Sequence, residues 1–267
     1  MAGGPDELSI AESPHSMCLI ALAWQAHPDY PLIVMANRDE FYRRPTTAAR
    51  FWPEAPQLLA GRDLAAGGTW LGVTRQGRFA ALTNYRDPAA PLGERSRGLL
   101  VSHFLQGQES AWEYAQAVAA EGEHYGGFNL LLGTHEELVV VSNRGMAPTR
   151  LQPGVHGLSN HLLDTPWPKV EKAKAGMAAA LAQPSSEALL GMLANDRQAE
   201  DAALPETGVG LAMERMLSPL FIRSPQYGTR ASTVLLLGSE RVQFLEQTFD
   251  ENGAGERSRF AFDLLPA

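Results

Sequence analysis

The alternation of apolar and polar positions first becomes regular at Met17. Met17-Cys18-Leu19-Ile20-Ala21-Leu22-Ala23-Trp24 and Leu32-Ile33-Val34-Met35-Ala36 flank the turn-forming stretch His27-Pro28-Asp29-Tyr30-Pro31. Two apolar runs around such a turn predict a buried β-hairpin. The second run ends on Asn37-Arg38-Asp39-Glu40. Antiparallel pairing returns that end to the start of the first strand, so Cys18 and a charge cluster become neighbours.

Phe41 to Arg62, rich in Pro and Arg, is expected to form a surface loop. A strand then runs to Thr74 from the pair Gly67-Gly68, and Gln76-Gly77 turns it into a second strand, Arg78 to Thr83. Beyond the loop opened by Asn84 the period changes. Leu99, Leu100, His103 and Phe104, then Trp112, Ala115, Val118 and Ala119, fall at helical spacing and predict two helices separated by Gly107. Phe128 to Leu132 and Leu138 to Ser142 form a third hairpin, and Gly154 to Ser159 a short strand leading to Asn160-His161. A second helix pair follows, one helix entered at Pro168 and running to about Ala182, the other from Pro184-Ser185-Ser186-Glu187 to about Asn195. Asp196 to Gly210 reads as an acidic loop. Ser232 to Leu237 and Val242 to Glu246 make a late hairpin around Gly238, with a last strand at Phe260 to Leu264. Strands, helix pair, strands, helix pair, strands: hairpins dominate, so the sheets should be mainly antiparallel. Two facing sheets with a helix pair outside each would bury every apolar face. The expected class is α+β, a four-layer αββα sandwich.

Composition narrows the function. The chain has 267 residues, 45% of them hydrophobic, enough for one large domain. Residues 17–267 are taken as that domain. Residues 1–16 carry acidic side chains, no Lys or Arg and no apolar run, so they read as a disordered extension or a misplaced start rather than a secretory signal. A net charge of −8, from 22 basic and 30 acidic residues, argues against a general nucleic-acid binder, though clustered arginines can attract a small anionic ligand. The single cysteine excludes an internal disulfide. No apolar run approaches the ~20 residues that span a bilayer. A cytoplasmic location is expected.

Cys18 is the candidate nucleophile. A methionine before a small residue is the kind that aminopeptidases remove, so translation from Met17 would leave Cys18 first. Its α-amine, with a pKa near ~8, could then accept the thiol proton. Arg38 and Arg230 can supply the positive surroundings a thiolate needs, and Asn84 and Asn160 can donate to an oxyanion. Each residue also has a plainer explanation. A free cysteine is commonly inert core filler, and Arg38-Asp39-Glu40 can be a strand-end ion pair. Asn84 and Asn160 stand where turns favour asparagine, and Arg223 and Arg230 can be surface charges. Gly67-Gly68 is followed by no P-loop lysine, so a tight turn is expected there. The histidines show no metal-ligand spacing; His103, near an apolar helix face, reads as a core residue before it reads as a ligand.

Met17-Cys18-Leu19-Ile20, Asn37-Arg38-Asp39-Glu40-Phe41, Gly67-Gly68-Thr69-Trp70-Leu71-Gly72, Leu82-Thr83-Asn84-Tyr85, Gly127-Phe128-Asn129-Leu130, Gly157-Leu158-Ser159-Asn160 and Tyr227-Gly228-Thr229-Arg230 together resemble the NRDE family, also called the transport and Golgi organisation protein 2 family. That family is distantly similar to N-terminal-nucleophile hydrolases of the cholylglycine hydrolase and penicillin V acylase branch. The resemblance implies the αββα fold, a hydrolase acting on C–N bonds of a small, partly apolar amide, and no cofactor for the chemistry. It implies Cys18 as nucleophile, Arg38 and Asp39 as its charged pair, Asn84 and Asn160 as oxyanion donors, and Arg230 as the late arginine. In that branch the arginine and aspartate are three apart. Here they are adjacent and point to opposite sides of a strand, so either Asp39 or Glu40 can fill the acidic role. The resemblance also implies an alternative, a non-enzymatic carrier in haem or lipid homeostasis. Haem or an acyl-coenzyme A-like ligand would then fill the pocket, with Cys18 or His103 as axial ligand to a haem.

Overall fold

The computed structural model describes residues 17–90 and 93–266; the expected extension at residues 1–16 lies outside them. The first hairpin forms as expected, β1 (Met17–Trp24) and β2 (Leu32–Phe41). Next come β3 (Thr46–Trp52), β4 (Ala55–Asp63), β5 (Leu71–Thr74) and β6 (Phe79–Asn84). Helices α1 (Gly98–Gln106) and α2 (Ala111–Ala120) follow. The chain continues through β7 (Phe128–Gly133), β8 (Leu138–Ser142), β9 (Met146–Arg150) and β10 (Gly154–Leu158). The second helical group is α3 (Pro168–Ala180), α4 (Ser186–Leu193) and α5 (Leu211–Leu217). Three long strands end it: β11 (Tyr227–Leu237), β12 (Arg241–Asp250) and β13 (Gly253–Asp263).

The strands build a six-stranded sheet in the order β10-β1-β2-β11-β12-β13 and a seven-stranded sheet in the order β3 to β9. Neighbouring strands pair antiparallel throughout. Period-two alternation decides which residue faces which layer. Ile20, Leu22, Trp24, Val34 and Ala36 point between the sheets, towards Leu59, Val73 and Phe79. Leu19, Ala21, Ala23, Ile33 and Met35 point the other way, onto Val170, Met177 and Leu189 of α3 and α4. The outer face of the seven-stranded sheet is covered by Leu100, Phe104, Ala115 and Val118 of α1 and α2. This is the expected four-layer αββα sandwich. Two helix starts are signalled locally: Ser110 and Glu113 close a capping box on α2, and Pro168 enters α3 in its first turn.

Three expectations are corrected. Phe41 to Arg62 is not a surface loop but supplies β3 and most of β4, with Ala49, Trp52, Leu58 and Leu59 buried. Two of its arginines are held by partners: the Arg62 guanidinium lies 4.4 Å from the Trp52 ring centroid and Arg44 binds Asp63. β9 and α5 lie outside the expected elements, because β9 is a mostly exposed edge strand and α5, at seven residues, is too short to show a period. The late strands also run well beyond the expected hairpin. Among the described residues no helix is long and apolar enough to cross a membrane.

The pair Gly67-Gly68 makes a tight turn, as expected. Gly67 has φ +78°, and a Cβ on Gly68 would come within 2.3 Å of the Gly98 carbonyl carbon. The entry to β5 thus packs directly on the start of α1.

Candidate active site

Pairing of β1 with β2 sets Cys18 opposite Arg38 and Met17 opposite Asp39. Alternation then sends Arg38 and Glu40 to the side of the Cys18 thiol, between the sheets. A small cavity of about 60 Å³ opens there, lined by Cys18, Arg38, Glu40, Arg44, Asp63 and Asn84 among others. Trp70, Thr69 and Arg97 close the opposite wall.

Four of the five charged side chains lining the cavity are interlinked. Arg38 Nη2 lies 3.9 Å from Glu40 Oε2 and 3.6 Å from Asp63 Oδ2. Arg44 Nε lies 3.8 Å from the same Glu40 oxygen and donates to Asp63 Oδ2 at 2.7 Å. The Arg38 guanidinium also stands 4.5 Å from the Trp70 ring centroid, and its buried Nη1 has no hydrogen-bond partner among the described residues. A cation held with one donor unspent beside a thiol is suited to an incoming anion or carbonyl. These arginines do not make Cys18 a thiolate. Burial, then the Asp39 charge, push its pKa up to about 12, and the Arg38 charge offsets only part of that. The expectation of an arginine-stabilised thiolate is therefore corrected: the sulfur is a buried thiol that needs a base.

The two asparagines take different places. Asn84, at the end of β6, lines the cavity. Asn160 is fully buried and absent from that lining; its Nδ2 donates to the Asn84 carbonyl at 2.8 Å, so it holds Asn84 rather than the cavity. Beside it Ser159 Oγ donates to the Cys18 carbonyl at 2.9 Å. Thr83 Oγ1 donates to the Ser159 carbonyl at 2.6 Å, which ties the two sheets together at this end.

Arg230 also stands outside the cavity lining. A register shift between Thr229 and Ala231 makes it the extra residue of a β-bulge. Its Nη1 donates to the carbonyls of Phe41, Tyr42 and Arg44 at 2.9, 2.9 and 3.0 Å, gripping the turn that carries Arg44. Asn37 is likewise structural: its Nδ2 donates to the Leu193 and Leu220 carbonyls at 3.0 and 2.7 Å.

Asp39 projects from the opposite face of β2, into the layer of α3. Its Oδ1 accepts from Thr229 Oγ1 at 2.6 Å. Burial raises its pKa to about 6, and the charge of Lys169 is the largest influence pulling it back. Lys169 sits in the first turn of α3, 3% exposed, and among the described residues its Nζ has no hydrogen-bond partner. Next to it Arg86 binds Glu214 of α5 at 2.6 Å and stacks on Trp167, 4.7 Å from the ring centroid. Arg44, Asp63, Trp70 and Lys169 all escaped the sequence reading. Arg44 lies within, and Asp63 just beyond, the segment expected to be loop, and no periodicity marks a lysine as buried.

Among the described residues no group of three or more His, Cys, Asp or Glu is placed to hold a metal ion. His103 is exposed on α1, not in the core as expected, while Cys18 lies between the sheets; the two share no ligand site.

Residues 17–251 match the protein family described as Transport and Golgi organisation 2. The Transport and Golgi organization protein 2 homolog of Homo sapiens is 38% identical over 256 residues, 87% of this chain and 93% of that protein. The Drosophila melanogaster Transport and Golgi organization protein 2 is 27% identical over 284 residues, 93% of this chain and 99% of that one. Among solved structures, a mutant of the conjugated bile acid hydrolase from Clostridium perfringens superposes with a TM-score of 0.50 at 9% identity, covering 93% of this chain and 92% of that chain. That likeness is one of fold, the N-terminal-nucleophile hydrolase sandwich.

Proposed function

The chain belongs to the Transport and Golgi organisation 2 family, and from that premise we propose that it is a cytoplasmic N-terminal-cysteine amidohydrolase acting on a small, partly apolar amide that carries an anionic group. One observation carries the reading: the only thiol of the protein faces a small cavity lined by three arginines, two carboxylates and an asparagine. With residues ahead of Cys18 removed, its α-amine becomes a base on the nucleophile itself. The thiol proton passes to that amine as the sulfur–carbon bond forms. Asn84, held by Asn160, donates to the oxyanion. The amine then protonates the leaving nitrogen as the C–N bond breaks, and water, deprotonated by the same amine, releases the acid from the thioester. Arg38, with a donor unspent, meets the anionic group of the substrate, with Glu40 and Asp63 fixing its orientation.

The carrier reading is less well supported. Sites for drug-sized ligands run to ~300–1,000 Å³, whereas the cavity beside Cys18 holds about 60 Å³. Haem or an acyl-coenzyme A exceeds that several times over.

Intact mass on untagged protein, before and after incubation with p-nitrophenyl butyrate, tests the proposal. The expected result is a chain beginning at Cys18 that gains one butyryl group, with no gain in Cys18→Ala. A chain that keeps Met17 and takes up no acyl group would overturn it. Binding of haem or acyl-coenzyme A that persists in Cys18→Ala would favour the carrier.

A further inference from the structure

Lys169 is costly as placed. A cation in the first turn of a helix opposes the macrodipole, and a buried ammonium without a hydrogen bond loses its hydration uncompensated. Yet α3 places it there, buried, with no partner on Nζ. A neutral residue of similar length would pack as well. What the position offers is proximity to Asp39, which lies opposite Met17 in the β1–β2 register, one step from the backbone nitrogen of Cys18.

We propose that Lys169 is a positioning residue for the chemistry of Cys18: its ammonium, buried beside Asp39, balances the aspartate's charge so that the α-amine of a chain beginning at Cys18 stays unprotonated at neutral pH and can take the thiol proton. The inference rests on the amidohydrolase reading above and adds the group that makes its base workable. An amine next to an uncompensated buried carboxylate is held as ammonium, because the opposite charge favours the protonated form. An ammonium accepts no proton. Lys169 removes that bias. The charges acting on Lys169 are Asp39, Cys18 and Glu214, with Arg86 opposing. From β2, Arg38 and Glu40 act on the same aspartate with opposite signs. Burial brings Lys169 itself down to about 8, with the Asp39 charge opposing the fall, so its ammonium still predominates at neutral pH.

The test is the pH dependence of Cys18 alkylation by iodoacetamide, followed by mass on three proteins cut to begin at Cys18: wild type, Lys169→Met and Lys169→Arg. In Lys169→Met the midpoint should move alkaline by about one unit, a tenfold slower reaction at pH 7. Lys169→Arg, which keeps the charge, should retain the wild-type midpoint; that pairing separates charge from mere packing. Wild-type chain beginning at Met1 supplies the control, because its Cys18 nitrogen is an amide. If the Cys18-first and Met1-first proteins alkylate with the same profile, the amine is no base, and the amidohydrolase reading falls with the proposal. If those two differ but Lys169→Met follows wild type, only the role of Lys169 is overturned.

Discussion

On the cavity side of β2, Arg38 and Glu40 join Arg44 and Asp63, two cations and two anions, all within 4 Å of a partner. On the opposite side Asp39 meets Lys169, with the Arg86–Glu214 pair behind. The residue types are similar, with Arg97 leaving the cavity side one cation richer. The contacts differ: the cavity quartet is cross-linked by ion pairs, whereas Lys169 makes no direct bond and Asp39 is drawn up to about 6 by burial. Interlocked charges hold a shape, and loosely coupled ones hold or release a proton. A strand that alternates every residue can carry both on one backbone, because Arg38 and Asp39 are neighbours in the chain and strangers in space.

Three measurements can break or sharpen that contrast. The largest effect is expected for Arg38→Leu, which leaves the Glu40 and Asp63 carboxylates to share the Arg44 guanidinium in a largely buried setting. Removing one member of such a cluster costs about 3–5 kcal/mol, read as a lower urea midpoint. A loss of less than about 1 kcal/mol would mean that the quartet is not interlocked.

Next is Glu246→Gln. Glu246 reaches from β12 between the sheets, accepting from the Ala49 amide at 2.7 Å and Thr233 Oγ1 at 3.0 Å, and burial pushes its pKa up to about 7. Its folded value lies above its ordinary value of 4.5, so the folded state binds the extra proton and stability falls as pH rises from about 4.5 to 7. The glutamine variant should therefore be more stable than wild type above pH 7, by on the order of 3 kcal/mol, and equal to it below pH 4. Melting temperature against pH reads this directly, and parallel curves would refute it.

The smallest effect is expected for Thr229→Val, which removes the hydroxyl bonded to Asp39 and to the Ile222 amide. A loss of about 1–2 kcal/mol is expected above pH 6, shrinking as Asp39 takes up its proton below that. A loss independent of pH would assign the whole effect to the Ile222 bond.

The first hairpin could be read from sequence because two unbroken apolar runs met at a proline-rich turn, and that reading already put Cys18 beside Arg38. The helix pairs were readable for the same reason, a period that changed at Gly98 and again at Pro168. Arg44 and Asp63 were not, since β3 and β4 carry arginines and prolines whose partners lie across the sheet rather than along the chain. The place of Arg230 was not legible, because a bulge, invisible in sequence, turns it onto the carbonyls behind the cavity. Lys169 escaped for a simpler reason: lysine in a first helical turn is usually solvated, and only the fold reveals otherwise.

The bond from Ser159 Oγ to the Cys18 carbonyl grips the strand downstream of the sulfur, and β10 clamps the same strand from Ile20 onward. Trimming whatever precedes Cys18 would give up the pairing of Met17 with Asp39 and leave these anchors in place, because they lie on the far side of the cut.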